Sequence, residues 1–180
     1  MSDRLTQVTR DELPPEAQAA WDRIVGTRGG VRGPFQVLIN VPQLAERVAD
    51  LGTYLRFEGQ LAGADRELAV LTVAREMGSR FEWVGHERIA REEGVRPEAI
   101  EIVRTKGSPQ GLTEREQLVV DVVQSLAREH RIPDELFARA RDAFGQARLV
   151  ELVGLAGYYT MTAYALVGFE VEPAAGERPF

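Results

Sequence analysis

The sequence predicts an all-α protein. Pro and Gly divide the 180 residues into segments of helical length, and apolar residues recur within those segments at three- and four-residue spacing. A period of two, the mark of strands, is suggested only by a short apolar patch at 35–41. The length suits one domain with a real core, so a single domain over 1–180 is expected, ending in an extended tail from about residue 170.

Each element follows from local chemistry. A first helix is expected over about 15–25, followed by the loop GTRGGVRGP, whose glycines and proline suit a turn or a substrate-side loop. Pro42 opens a second helix running to about 57, because a proline in the first turn gives up an N–H that would lack an intrahelical partner anyway. Asp65 introduces a helix over about 66–77, Gly78 breaks it, and the next runs over about 79–93 with Gly94 as its stop. A short helix should follow Pro97. Thr113 and Glu116 have the spacing of a capping box, which starts a longer helix ending near Glu129. Pro133 restarts the chain for a helix ending near Gly145, and the last helix should cover about 147–169.

Composition excludes several functions. The 22 basic and 28 acidic residues give a net charge of −6 with no long block of either sign, which argues against nucleic-acid binding. The chain has no cysteine, so disulfide exchange and thiolate metal sites are impossible; this suits a cytoplasmic protein, as does a polar start without a secretory pattern. Residues 152–169 carry no charge over eighteen positions, which is the length of a candidate membrane span. Glu151 at the edge, Thr160 and Thr162 within, and the lack of a flanking basic cluster favour instead the centre of a bundle or a subunit interface.

The chemistry is expected where ionisable residues share a face with apolar ones. On the helix holding His86, residues 79, 82, 83, 86, 89, 90 and 93 form one stripe, and Glu87, Arg88 and Arg91 occupy the other side. Burial of Trp83, Ile89 and Ala90 should carry Glu82 and His86 inward, where side chains four residues apart are neighbours. Glu67 repeats the pattern among Val70, Leu71 and Ala74 on the preceding helix. Arg56 ends a stripe of small residues, Ala45, Ala49 and Gly52, where its guanidinium is placed to bind a carboxylate through two hydrogen bonds. Structural readings compete: Glu82 with His86 as a buried pair, Glu67 as a cap or a partner of Arg56, Arg56 as a surface arginine, and Trp83 and the tyrosines 158, 159 and 164 as core. No metal is expected, since His86-Glu87 lacks the second His of a zincin helix, and Glu82 and His86 are four apart where a di-iron bundle motif needs three.

The stretch RELAVLTVAREMGSRFEWVGHERIAREEGV resembles the core of the carboxymuconolactone decarboxylase family, which includes the alkylhydroperoxidase D type proteins. The thiol-peroxidase branch has a Glu, a Cys-x-x-Cys pair and a His at the positions of Glu67, Ser79, Glu82 and His86, with eleven, two and three residues between them. Ser79 and Glu82 replace both thiols, and neither can perform disulfide exchange. The FEW-x-x-His pattern is closer to the decarboxylase branch. The resemblance implies an alkylhydroperoxidase D-like helical bundle that assembles as a trimer or hexamer with active sites near subunit contacts. It also implies a cofactor-free lyase acting on a small carboxylated lactone or related acid. In that reading His86 donates a proton to carbon, Glu82 orients His86, Glu67 completes a relay or positions substrate, and Arg56 and Trp83 contact substrate. The alternative is a non-catalytic binding or scaffold protein that kept the bundle after losing thiol peroxidase activity.

Overall fold

A computed structural model describes residues 4–180; the first three residues of the expected domain, and that part of the polar N-terminus, lie outside the described residues. Among those described, all regular structure is helical: α1 Pro15–Arg28, α2 Pro34–Leu38, α3 Pro42–Thr53, α4 Gly63–Met77, α5 Arg80–Glu92, α6 Pro97–Thr105, α7 Glu114–Glu129, α8 Asp134–Phe144 and α9 Gln146–Gly168. The patch at 35–41 is one departure from expectation. Pro34 at the first helical position turns it into the five-residue helix α2, and Phe35 and Val37 are buried there.

The start and stop signals act as their chemistry requires. Thr113 caps α7 by accepting from the Glu116 N–H at 3.3 Å, while the Thr113 N–H donates to Glu116 Oε2 at 2.7 Å. Gly29 ends α1 and Gly78 ends α4, both in the left-handed region where a side chain is strained. His130 also adopts that conformation as the end of α7, exposed as expected for a polar helix end.

The fully enclosed helix is α4. Every residue from Glu67 to Ala74 is buried, because α5, α6, α7 and α9 pack around it. Helix α9 is long and apolar enough to pass a test for a membrane span by length and composition, yet half of its apolar window is buried inside the fold against α2, α4, α7 and α8. Its other side stays uncovered, with Val150, Val153, Met161, Tyr164 and Val167 exposed; Tyr164 therefore lies outside the core expected for the three tyrosines, while Tyr158 and Tyr159 lie within it. The segment after α9 has no regular structure, and its end is docked. The Phe180 ring meets Trp83 edge-on at 5.5 Å, with the Arg75 guanidinium 4.5 Å from its centre.

Candidate active site

The site lies between the end of α1, the junction after α3, the first two turns of α5 and the middle of α9. After Thr53 the helix widens into a π turn, Tyr54–Glu58, closed by the Gly59 N–H donating to the Tyr54 carbonyl at 2.9 Å. Such a turn inserts an extra residue and swings the side chains that follow, a device often found at functional sites. Here it carries Arg56. The turn is pinned from α9 by buried Glu151, which accepts from the Tyr54 hydroxyl at 2.9 Å and from the Gln60 and Leu61 N–H groups at 2.7 and 3.1 Å. Three donors satisfy this carboxylate, which the sequence shows only as a charge at the edge of an apolar run.

A cavity of about 310 Å³ opens against these elements. Arg28, Arg32 and Arg56 line one part of it, and Glu82, His86, Tyr158, Tyr159 and Thr162 line another, with Phe35, Phe81 and Ile89 as apolar wall. None of the three arginines forms an ion pair with a carboxylate among the described residues, although most guanidinium groups of the chain do. Arg28 is held in place instead, donating to the Ala49 carbonyl at 2.7 Å and lying 4.6 Å from the centre of the Phe35 ring. Positive charge is therefore concentrated at the cavity without a built-in counterion. The sequence signals Arg28 and Arg32 only by their place within the glycine-rich stretch GTRGGVRGP, read as a turn or substrate-side loop.

The small stripe on α3 serves close packing. A Cβ at Gly52 would lie 2.2 Å from the Tyr158 hydroxyl and 3.0 Å from an Arg28 nitrogen, so the bare backbone there lets both approach.

His86 pairs across helices with Glu67, its Nδ1 2.7 Å from Glu67 Oε2, where sequence proximity had suggested Glu82. The hairpin about Gly78 lays α5 on α4 and turns the imidazole toward Glu67, which also accepts from Arg66 Nε at 3.1 Å. Burial alone would raise the Glu67 carboxyl, but hydrogen bonds and charge from His86 and then Arg66 outweigh it and hold it below the usual carboxylate range. An ionised carboxylate can only accept, so Nδ1 carries a hydrogen and Nε2 is the nitrogen left for other partners. The ring is further fixed by Tyr159, edge-on at 5.0 Å. Glu67 itself is 1 % exposed and does not line the cavity; it acts on the site through His86.

Glu82 stands apart from this pair. Burial pushes its carboxyl up to about 7, while the hydrogen bond from the Thr162 hydroxyl pulls it down less strongly. Thr162 Oγ1 donates to its Oε1 at 2.5 Å, whereas Oε2 and the Ser79 hydroxyl are buried without a hydrogen-bond partner. Ser79 occupies the N-cap position of α5 but makes no side-chain cap bond, so it marks the helix start by backbone conformation only.

Trp83 is not brought to the cavity. One residue on from Glu82, it faces a different flank of α5, fully buried, donating from Nε1 to Glu87 at 3.0 Å and lying under the Arg104 guanidinium at 5.0 Å. Its place is the seam between α5, α6 and the C-terminal segment, which is a packing role.

Residues 42–125 match the model of the carboxymuconolactone decarboxylase family. Over that segment the chain is similar to this family, and its sequence has no cysteine. The matched segment holds Arg56, Glu67, Glu82 and His86, while Arg28, Arg32, Tyr158, Tyr159 and Thr162 come from outside it. Two solved structures share the fold. One is the alkylhydroperoxidase AhpD core of an uncharacterized peroxidase-related protein from Ralstonia eutropha JMP134, 16% identical, with a TM-score of 0.77 over 96% of this chain and 92% of that one. The other is an uncharacterized peroxidase-related protein from Silicibacter sp. TM1040, 18% identical, with a TM-score of 0.71 over 91% of this chain and 87% of that one. No curated protein sequence matches the chain. Between Glu67 and His86 within the matched segment, Ser79 and Glu82 supply a hydroxyl and a protonatable carboxyl, groups that can exchange protons and cannot perform thiol chemistry.

Proposed function

We propose that this protein is a cofactor-free lyase that decarboxylates a small carboxylated lactone or a related acid by acid–base chemistry. One observation carries this reading: three arginines without carboxylate ion-pair partners line, together with His86, a cavity of small-molecule size. The guanidinium groups supply charge and paired hydrogen bonds for a substrate carboxylate, and Arg56, on the π turn, is the candidate for the oxyanion that develops during reaction. Breaking the bond to the departing carbon dioxide leaves its electron pair delocalised through a conjugated carbonyl as a dienolate. His86 returns a proton to carbon from Nε2, and Glu67 fixes the ring through Nδ1 and balances the charge the ring holds when doubly protonated. Glu67 thus takes the orienting role that the sequence suggested for Glu82.

The test is carbon dioxide release from a panel of small carboxylated lactones. His86→Ala should lower kcat/KM by about 100-fold or more on the substrate found. Equal turnover by wild type and variant would overturn the assignment.

The lyase is further proposed to work as a homo-oligomer, a trimer or hexamer. The uncovered apolar side of α9 supports this, together with exposed Leu44 and Leu51 on α3 and Phe57 on the π turn. Light scattering should return a multiple of the 20.0 kDa chain mass; a monomer at micromolar concentration would refute it.

A further inference from the structure

Glu82 has a hydrogen-bonding partner suited to either of two protonation states. Thr162 has one hydroxyl hydrogen and two acceptors within reach, Glu82 Oε1 at 2.5 Å and the Tyr159 carbonyl at 3.1 Å. When Glu82 is ionised, the hydroxyl donates to Oε1. When Glu82 is protonated on Oε1, the acid donates to Thr162 Oγ1 and the hydroxyl turns to the Tyr159 carbonyl, so that no bond geometry has to move. The second oxygen, Oε2, is buried without any donor, so a negative charge on this carboxylate is satisfied at one oxygen only.

The surroundings decide when the proton binds. Lining the cavity with Glu82 are Arg28 and Arg32 from the end of α1 and the loop after it, Arg56 from the π turn, Tyr158 and Tyr159 from α9, and His86 on its own helix, with Glu67 on α4 paired to His86. None of the three guanidinium groups forms an ion pair with Glu82, so they are left to hold an incoming anion in the cavity that Glu82 also lines. An anion bound to them adds a negative group in the same partly dry cavity as Glu82, which disfavours a second negative charge there.

We propose that the cavity takes up its anionic ligand together with one proton, and that the proton is held by Glu82 in the Glu82–Thr162–Tyr159 relay. This rests on the reading of the cavity as a carboxylate site and adds its regulation: the ligand is bound against a neutral carboxylic acid. Affinity then falls as pH rises. Because the folded protein's carboxyl titrates near 7 before ligand binds, affinity should fall about tenfold for each unit above pH 8 while one proton is taken up.

The experiment is calorimetric binding of benzoate and succinate to the full chain at pH 6 and pH 8, in buffers of different ionisation enthalpy. Close to one proton per benzoate is expected at pH 8 and much less at pH 6, where Glu82 already holds it. Glu82→Gln should bind with no uptake. His86→Gln should keep the uptake, which separates the two titratable groups. Thr162→Val removes the donor that favours the ionised form, so its uptake at pH 8 should shrink. Infrared difference spectra at pH 8 should show a new carboxylic-acid carbonyl band on benzoate binding in wild type and not in Glu82→Gln. Binding without proton uptake, or uptake that survives in Glu82→Gln, overturns the coupling and leaves the carboxylate site standing. Failure of both anions to bind the folded protein removes both.

Discussion

Glu67 and Glu82 are two carboxylates buried to nearly the same depth on adjoining helices, 1 % and 5 % exposed, and their carboxyls are displaced in opposite directions. Burial pushes each of them up. Glu67 nonetheless lies below the usual range because it meets two groups that can carry positive charge, whereas Glu82 is bonded only by the Thr162 hydroxyl and lies near 7. Depth in the core therefore does not decide the charge of a buried acid here; the charge of its partner does.

The comparison breaks first at Glu67. Glu67→Gln removes the buried negative charge that pairs with His86 and, alongside Glu93, with Arg66, and should cost about 3–5 kcal/mol at pH 7, read from urea unfolding. Since the folded carboxyl lies below its ordinary value of 4.5, this stability is present above that value and is lost as pH falls through the folded value. Wild type and variant should thus converge in acid.

Glu82→Gln has the opposite sign and a slightly smaller size. With a folded carboxyl near 7 against 4.5 unfolded, wild type binds the proton more tightly when folded, so stability is full below 4.5 and declines as pH rises to 7. Removing the ionisable group should make the variant more stable by about 3 kcal/mol at pH 8 relative to its difference from wild type at pH 4, measured by the same unfolding series. Two substitutions whose stability differences from wild type move in the same direction between pH 4 and pH 8 would refute the contrast.

Much of this was legible in the sequence because helical phase is a strong signal. Spacing at 82, 86, 89 and 90 placed Glu82 and His86 inward, and the aliphatic company of Glu67 buried it. The partner of His86 was not legible, because Glu67 and Glu82 are both within reach of an inward imidazole and only the packing of α5 on α4 chooses between them. Arg28 and Arg32 escaped for a different reason: they sit at a helix end and in a loop, where no periodicity tells which way a side chain turns. Trp83 illustrates the limit of a stripe. A face wide enough to hold both Glu82 and Trp83 spans two environments, the cavity on one side and the seam with the C-terminal segment on the other.

The bare backbone at Gly52 sets the position of a wall. The Tyr158 ring stands where it does because one carbon is missing from α3, and Arg28 shares the space that this leaves. The size of the chamber is therefore written partly in an absence, and the smallest possible enlargement of a side chain would move an aromatic ring and a guanidinium together. A lineage seeking to accept a different molecule has, at this position, a single-nucleotide route to altering both the shape and the charge of its binding chamber.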